Sequence, residues 1–320
     1  MAQLPITIIT PCYNENVVVI RFLESLENTL SSLPYSFNVV VINDCSNDST
    51  LDLLKQFHFT APQISLHIVD LSFNVGHQGA LYQGFLYAQT LTCDHFIVMD
   101  SDGEDSPAAI PELLKHFDVD IVHVDRSKRK ESILFKICYF YYKVLFRFVT
   151  GKQMNFGNFC LINRNVLECA IYSTFSHFAA FLSRQRNTTF HIIVAKDHRI
   201  GGQSKMGFKK LFFHGFRSFV EYGEDMLMLF FKGFIIILIA LLFSIGNVIY
   251  QKFISHTAIL GWTSVVIIGL INLAVICIGF FVIGLLLIHL NNQNPIRKKS
   301  IYQVYSDKTQ KNSSEEIDEI

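Results

Sequence analysis

The sequence predicts an α/β domain with a mostly parallel sheet, followed by interfacial helices and a two-helix transmembrane hairpin. Three observations carry this expectation. Apolar strand-like runs alternate with helix-length segments up to about Val124. Two long uncharged runs then lie near the C-terminal end, and basic clusters flank the pair on both sides. The predicted division is 1–204 for the α/β domain, 205–229 for a juxtamembrane amphipathic helix, 230–290 for the hairpin and 291–320 for a cytoplasmic disordered tail.

The strand-like runs are Ile6–Thr10, Phe37–Asn43, Ile64–Asp70, His95–Met99 and Asp120–Val124. Helix-like segments fall near Glu15–Leu30, Ser49–Phe57, Gln78–Leu91 and Ile110–Phe117. Ten to fifteen residues of helix between apolar strands imply βαβ units, whose ligands bind beyond the C-terminal strand ends.

Composition agrees with a membrane-attached chain. Half of the 320 residues are hydrophobic, 30 are Phe, and only 17 % are charged, against roughly 25 % in soluble domains. Gly233–Leu290 holds one formal charge, Lys252. Within it the expected spans are about 233–250 and 262–288, each long enough to cross ~30 Å of hydrocarbon. Lys205, Lys209, Lys210, Arg217 and Lys232 precede the first span, and Arg297, Lys298 and Lys299 follow the second. The positive-inside rule therefore puts the N-terminal domain and the tail in the cytoplasm. The tail, ending SSEEIDEI, is polar and acidic.

Other classes are disfavoured. Lys+Arg and Asp+Glu are both 27, so nothing in the global charge calls for nucleic acid. The seven cysteines include no CxxC pair, which leaves reduced thiols rather than a zinc site or disulfide framework. Met1–Thr10 lacks a signal-peptide pattern. GxGxxG, GxxxxGK[ST] and GxSxG are all missing, against dinucleotide, P-loop and α/β-hydrolase chemistry.

Polar loops end four successive strands: TPCYNE (Thr10–Glu15), NDCSNDST (Asn43–Thr50), LSFNVGHQGAL (Leu71–Leu81) and DSDGEDSP (Asp100–Pro107). Asp48 and Ser49 alone would be a helix cap. Four such loops on one edge make a site. Asp100 and Asp102 follow the apolar strand FIVM, and hard oxygen ligands at a strand end suit Mg²⁺ or Mn²⁺.

With RSKRKES (Arg126–Ser132), GNFCLINR (Gly157–Arg164) and HRIGGQSK (His198–Lys205), these ordered motifs resemble the family 2 glycosyltransferases of GT-A fold. More narrowly, the chain resembles dolichyl- and undecaprenyl-phosphate sugar transferases with C-terminal membrane helices, over roughly residues 5–290. The resemblance implies that Pro11, Tyr13, Glu15 and Asp44 surround the base and ribose of a nucleotide-sugar donor. It implies that Asp100 and Asp102 hold a metal on the diphosphate, joined by Glu104 where family members often carry Gln. Three positions depart from the family pattern. Phe73 stands where Arg is common, Asn158 where GDF supplies Asp, and Cys45 where Gly is usual.

The chemistry that fits is inverting, metal-assisted transfer of the sugar to a polyprenyl phosphate, with Asp102, Arg126 and Arg129 as its catalytic residues. A phosphate monoester, with a second pKa near ~6, is largely ionised and needs positioning more than a base. Arg126, Arg129, Ser132 and Lys205 are the candidate contacts to that phosphate, since guanidinium forks suit phosphate oxygens. Ile133–Val149 is an aromatic-rich helix candidate with Lys136, Lys143 and Arg147 on one face, suited to the headgroup region. His77 and His198 read as hydrogen-bonded loop residues rather than catalytic bases. Two alternatives stand beside this reading: transfer to a hydroxyl of a lipid-linked glycan, and a catalytically silent membrane scaffold. A processive synthase is disfavoured, because no QxxRW-like motif occurs and the one Trp, Trp262, lies in the apolar region. A dimer would bring four membrane helices together, which leaves room for a homo-oligomer.

Overall fold

The computed structural model describes residues 5–126, 140, 144, 146–151, 156–173, 175–194, 221–255, 261–292 and 300–306. The chain forms two compact units, one of residues 1–133, 154–214 and 297–320, the other of 134–153 and 215–296. This division differs from a cut at residue 204. The segment 134–153 groups with the hairpin, and the tail groups with the sheet.

The first unit is an eight-stranded mixed sheet. Its strands are β1 (Pro5–Cys12), β2 (Ser36–Asn43), β3 (Ile64–Leu71), β4 (His95–Val98), β5 (Ile121–Arg126), β6 (Phe156–Asn163), β7 (Thr189–Val194) and β8 (Tyr302–Ser306). The order is β7-β5-β6-β4-β1-β2-β3-β8. Six strands run parallel, while β6 lies antiparallel to β4 and β5, and β8 antiparallel to β3. The expected mostly parallel α/β architecture is observed. β6, β7 and β8 extend it beyond the strands read from hydropathy.

Alternation along β1 shows why the sheet forms. Ile6 and Ile8 face one layer and Ile9 the other, all fully buried. On the first face pack α1 (Val19–Leu30), α2 (Thr50–Gln56) and α4 (Ile110–Leu113), through Phe22, Leu26, Leu54 and Leu113. On the second pack α3 (His77–Ala88), α5 (Arg164–Ser173) and α6 (Phe178–Arg184), through Leu81, Phe85, Leu167 and Phe178. Helices on both faces are what a parallel sheet needs. Gly84 lets α3 press on the sheet: a Cβ there would come within 2.6 Å of Ile42 Cδ1.

Two of the expected helices are shorter in the structure. α1 begins at Val19 rather than Glu15, because Glu15–Val18 form a turn whose Glu15 carbonyl accepts from the N–H of Val18 and Val19. α4 stops at Leu113 instead of reaching Phe117. Tyr302–Ser306, expected in a disordered tail, are ordered as β8. Tyr302 packs edge-to-face on Tyr87, and Lys55 Nζ lies 4.0 Å above the Tyr305 ring. The tail's alternating apolar residues complete an open sheet edge, a tertiary gain that its polar composition concealed.

The second unit contains α7 (Gly223–Tyr250), a π-helical turn at Gln251–Ser255 and α8 (Trp262–Asn292). Asp225–Tyr250 and Ser264–Leu287 are long and apolar enough to cross a membrane, matching the two expected spans. The helices meet through Phe230 with Phe280 and Phe231 with Phe281, and Leu227 sits where a Cβ on Gly284 would be. Residues 146–150 are helical, overlapping the end of the aromatic helix expected over Ile133–Val149.

Candidate active site

β1 lies between β2 and β4, so the loops after β1 and β4 diverge at a topological switch point, where parallel sheets open a crevice. Asp44 N–H donates to the Cys12 carbonyl at 2.9 Å, ending β1 and β2 level with each other. Beyond that rung Asn14 and Cys45 take φ of 54° and 55°, the left-handed region. The conformation at Cys45 accounts for the glycine that the family pattern favours there.

These turns are locked together. Asn14 Oδ1 accepts from Asn47 N–H at 2.8 Å, Ser46 Oγ accepts from Asn14 N–H at 2.9 Å, and Thr50 Oγ1 accepts from Glu15 N–H at 3.0 Å. Beneath them Asp44 is buried, accepting from Val75 N–H at 2.7 Å and Gly76 N–H at 2.9 Å. Asn74 Nδ2 donates to the Asp44 carbonyl at 3.0 Å. Burial pushes the Asp44 carboxyl above its ordinary range, opposed by those two N–H donors and by the charge of His77. Asp44 thus ties three strand-end loops into one preorganised wall.

The second wall follows β4. Ser101 Oγ donates to the Pro11 carbonyl at 2.8 Å, joining the DSD turn to β1. Buried Asp105 accepts from Asp100 N–H at 2.9 Å, and Asp102 Oδ1 accepts from Glu104 N–H at 2.9 Å around Gly103 at φ 77°. Asp100 Oδ1 lies 3.4 Å from His77 Nε2, whose other neighbour is Asn158 Nδ2 at 2.8 Å.

Each expected residue can now be placed. Pro11, Tyr13, Glu15, Asp44, Asp100, Asp102 and Glu104 all lie on this rim. Tyr13 is 42 % exposed there, and Asn47 Nδ2 reaches its hydroxyl at 3.5 Å. Arg126 is the last residue of β5, at the same end of the sheet. Arg129, Ser132 and Lys205 lie outside the described residues. Sequence reasoning missed Asp105, Ser101 and the contact between His77 and Asn158. Asp105 sits within the DSDGED run itself, but no local pattern signals a contact between residues 81 positions apart.

The donor set suits a hard divalent ion: carboxylates at a strand end, in a turn held by backbone N–H donors. Among the described residues no group of three His, Cys, Asp or Glu side chains that could hold a metal ion is found. One or two carboxylates suffice for Mg²⁺ when phosphate oxygens complete its shell.

Residues 7–170, just over half of the chain, match the description "Glycosyl transferase family 2". The chain belongs to that family. Among relatives of this glycosyltransferase, "Uncharacterized glycosyltransferase YkcC" of Bacillus subtilis is 24 % identical over 285 residues, 87 % of each chain. The undecaprenyl-phosphate 4-deoxy-4-formamido-L-arabinose transferase of Salmonella choleraesuis is 27 % identical over 218 residues, 64 % of each chain. Mannosyl-3-phosphoglycerate synthase from Rubrobacter xylanophilus superposes with a TM-score of 0.52 at 11 % identity, over 70 % of this chain and 74 % of its own. Glucosyl-3-phosphoglycerate synthase from Mycobacterium tuberculosis, crystallised with Mn²⁺, UDP-glucose and phosphoglyceric acid, gives 0.51 at 12 %, over 69 % and 79 %. The glycosyltransferase therefore has a GT-A-like sheet domain and two apolar C-terminal helices.

Proposed function

We propose that this glycosyltransferase moves a sugar from a nucleotide-sugar donor to a membrane polyprenyl phosphate, inverting the anomeric carbon. One observation carries the acceptor assignment. β5 ends at Arg126 and β7 at Val194, while β6 begins at Phe156 and β8 at Tyr302. Given their directions, all four ends lie on the rim that bears Asp100 and Asp102. Every stretch of chain leading to or from the apolar unit thus leaves the sheet at the carboxylate rim. A soluble acceptor has no use for that routing. The undecaprenyl-phosphate transferase among the relatives supports the same reading, and the UDP-glucose and Mn²⁺ of the M. tuberculosis synthase support a nucleotide-sugar donor with a divalent ion.

In this reading Pro11, Tyr13 and Glu15 border the base and ribose, and Asp44 shapes that wall from below. A divalent ion on Asp100 and Asp102, with Glu104 near, would supply Lewis-acid relief of charge on the departing diphosphate. Arg126, Arg129, Ser132 and Lys205 orient the acceptor phosphate. Its oxygen forms the new bond to the anomeric carbon as the bond to the diphosphate breaks, and the nucleoside diphosphate leaves with the electron pair. No general base is needed for an acceptor already ionised.

The chain crosses the bilayer twice, with the sheet unit and the tail both cytoplasmic. The pairing of β8 in the same sheet as the strands that precede the hairpin supports a chain that returns to the side it left. Outside labelling of a cysteine placed in 251–257 succeeds in that topology. Labelling of a tail cysteine instead overturns it.

The deciding experiment incubates the full chain in nanodiscs with undecaprenyl phosphate, Mn²⁺ and a nucleotide-sugar panel, with mass detection of the lipid product. A sugar-phosphate lipid is expected. Arg129→Ala should lower transfer at least ten-fold while donor affinity stays within a few fold. Transfer only to a glycan hydroxyl, or no donor-dependent nucleotide release, would sink the assignment.

A further inference from the structure

The strand order turns the rim into a ruler. From β2 through β1 and β4 to β6 and β5, it passes Asp44, the Pro11–Glu15 loop, Asp100, Asn158 and Arg126 in turn. Neighbouring strands lie ~4.8 Å apart. In the donor reading above, on which this inference rests, the base and ribose lie at β2 and β1, the diphosphate at β4 and the acceptor phosphate at β5. The strand between diphosphate and acceptor is β6. Val98 pairs with Cys160, and the same antiparallel register continued two residues sets Asn158 across from Asp100.

Asn158 is 8 % exposed, and its amide meets His77 Nε2 at 2.8 Å; the His77 side chain is 40 % exposed. Beyond their mutual contact, the approach of His77 to Asp100 and its electrostatic action on Asp44, no further hydrogen bond is made by either side chain to the described residues. The pair can be written in two ways. If Asn158 N–H donates to Nε2, Asn158 Oδ1 remains as acceptor and His77 Nδ1–H as donor. If Nε2–H donates to the amide oxygen, the amide NH₂ remains as donor and Nδ1 as acceptor. Either way at least one donor and one acceptor remain, with the second amide hydrogen as a further donor. A hydroxyl uses both, whereas a phosphate oxygen can use only the donor.

We propose that His77 and Asn158 form the subsite that reads a hydroxyl of the transferred sugar. Asn158 in place of the family's carboxylate supplies this donor-acceptor pair without adding charge beside Asp100. The two residues select the sugar and leave the grip on the nucleotide to β1, β2 and β4.

Calorimetry on the full chain in detergent with Mn²⁺ tests this, using UDP, GDP, UDP-glucose, UDP-N-acetylglucosamine and GDP-mannose as probes. In Asn158→Ala and His77→Ala, affinity for the nucleoside diphosphate should stay within about two-fold, which also reports an intact fold. Affinity for the matching nucleotide sugar should fall ~10-fold, the worth of a hydrogen bond or two, and His77→Gln should recover part of it. Equal loss of both ligands would make the pair a mere brace for Asp100 and overturn the proposal. So would no loss of either. Should no nucleotide sugar bind the unsubstituted chain, the donor reading itself fails and takes the subsite with it. That failure is visible before any variant is made.

Discussion

Ile8, Val41 and Ile97 in the sheet unit are wholly buried, each covered by helices of the same chain. Ile236, Leu242 and Phe243 on α7 leave 67, 62 and 77 % of their surface uncovered. Residue types alone would not separate the two sets. The difference is the surroundings: protein covers the first set, and the second is left uncovered on a helix long and apolar enough to cross a membrane. In the sheet unit the apolar residues of β1 alternate with the strand period, and helices cover both faces of the central strands. Along α7 and α8 they run around the helix, and contacts between the helices include Phe230 with Phe280, Phe231 with Phe281 and Leu227 with Gly284.

The sharpest way to break this contrast is to make one substitution in each region. Phe22→Ala, in the sheet core, should cost about 3–5 kcal/mol in denaturant unfolding of the sheet unit. Phe243→Ala should leave that transition where it was, because its ring touches little protein. Equal losses would show that α7 is packed like a core helix.

Next in size is an effect on chemistry rather than stability. Asp102→Ala, half-buried beyond β4, should reduce turnover ~10²-fold or more with an unchanged unfolding midpoint. Near-normal turnover in the folded variant would remove the metal role from the DSD turn.

Burial also sets a pH response confined to the sheet unit. His123, buried on β5, is pushed down to about 3, first by burial and then by the charge of His191. Its unfolded value is about 6.5. The unfolded chain therefore binds the extra proton between those values, so stability is full above pH ~6.5 and falls as the pH drops towards 3. The slope approaches ~1.4 kcal/mol per pH unit. His123→Leu should flatten it in thermal scans from pH 7.5 to 5, and an unchanged slope would point to other groups.

Smallest is the edge contact of the tail. Tyr302→Ala loses its edge-to-face contact with Tyr87 and should lower stability by about 1 kcal/mol. An unaltered midpoint would mean that β8 is held by its backbone alone.

Much of this was legible in the residues, for physical reasons. Apolar runs ending in polar, acidic or glycine-bearing loops mark β1 to β4, and carboxylates right after FIVM locate Asp100 and Asp102 at a strand end. The apolar runs near 233–250 and 262–288 need only be counted. What escaped depends on distant pairing. β6 and β7 pair with strands far away in sequence, and β8 is hidden in a polar tail because its stability comes from β3. Asp44 was read as a nucleotide contact, and what stayed hidden is that its oxygens also accept from Val75 and Gly76 N–H, a use that appears only once the β3–α3 loop is folded against it. His77 looked like an ordinary loop histidine until β6 brought Asn158 beside it.

The pairing of β8 with β3 also imposes an order in time. A ribosome delivers β3 first, then roughly 230 further residues, both apolar helices among them, before Tyr302–Ser306 emerge. At ~5–20 residues per second, the outer edge of β3 stays open for roughly 10–50 s of synthesis. An unpaired strand edge is a template for wrong partners, so those seconds are when the nascent chain most needs protection. The sheet closes only after the hairpin has been made.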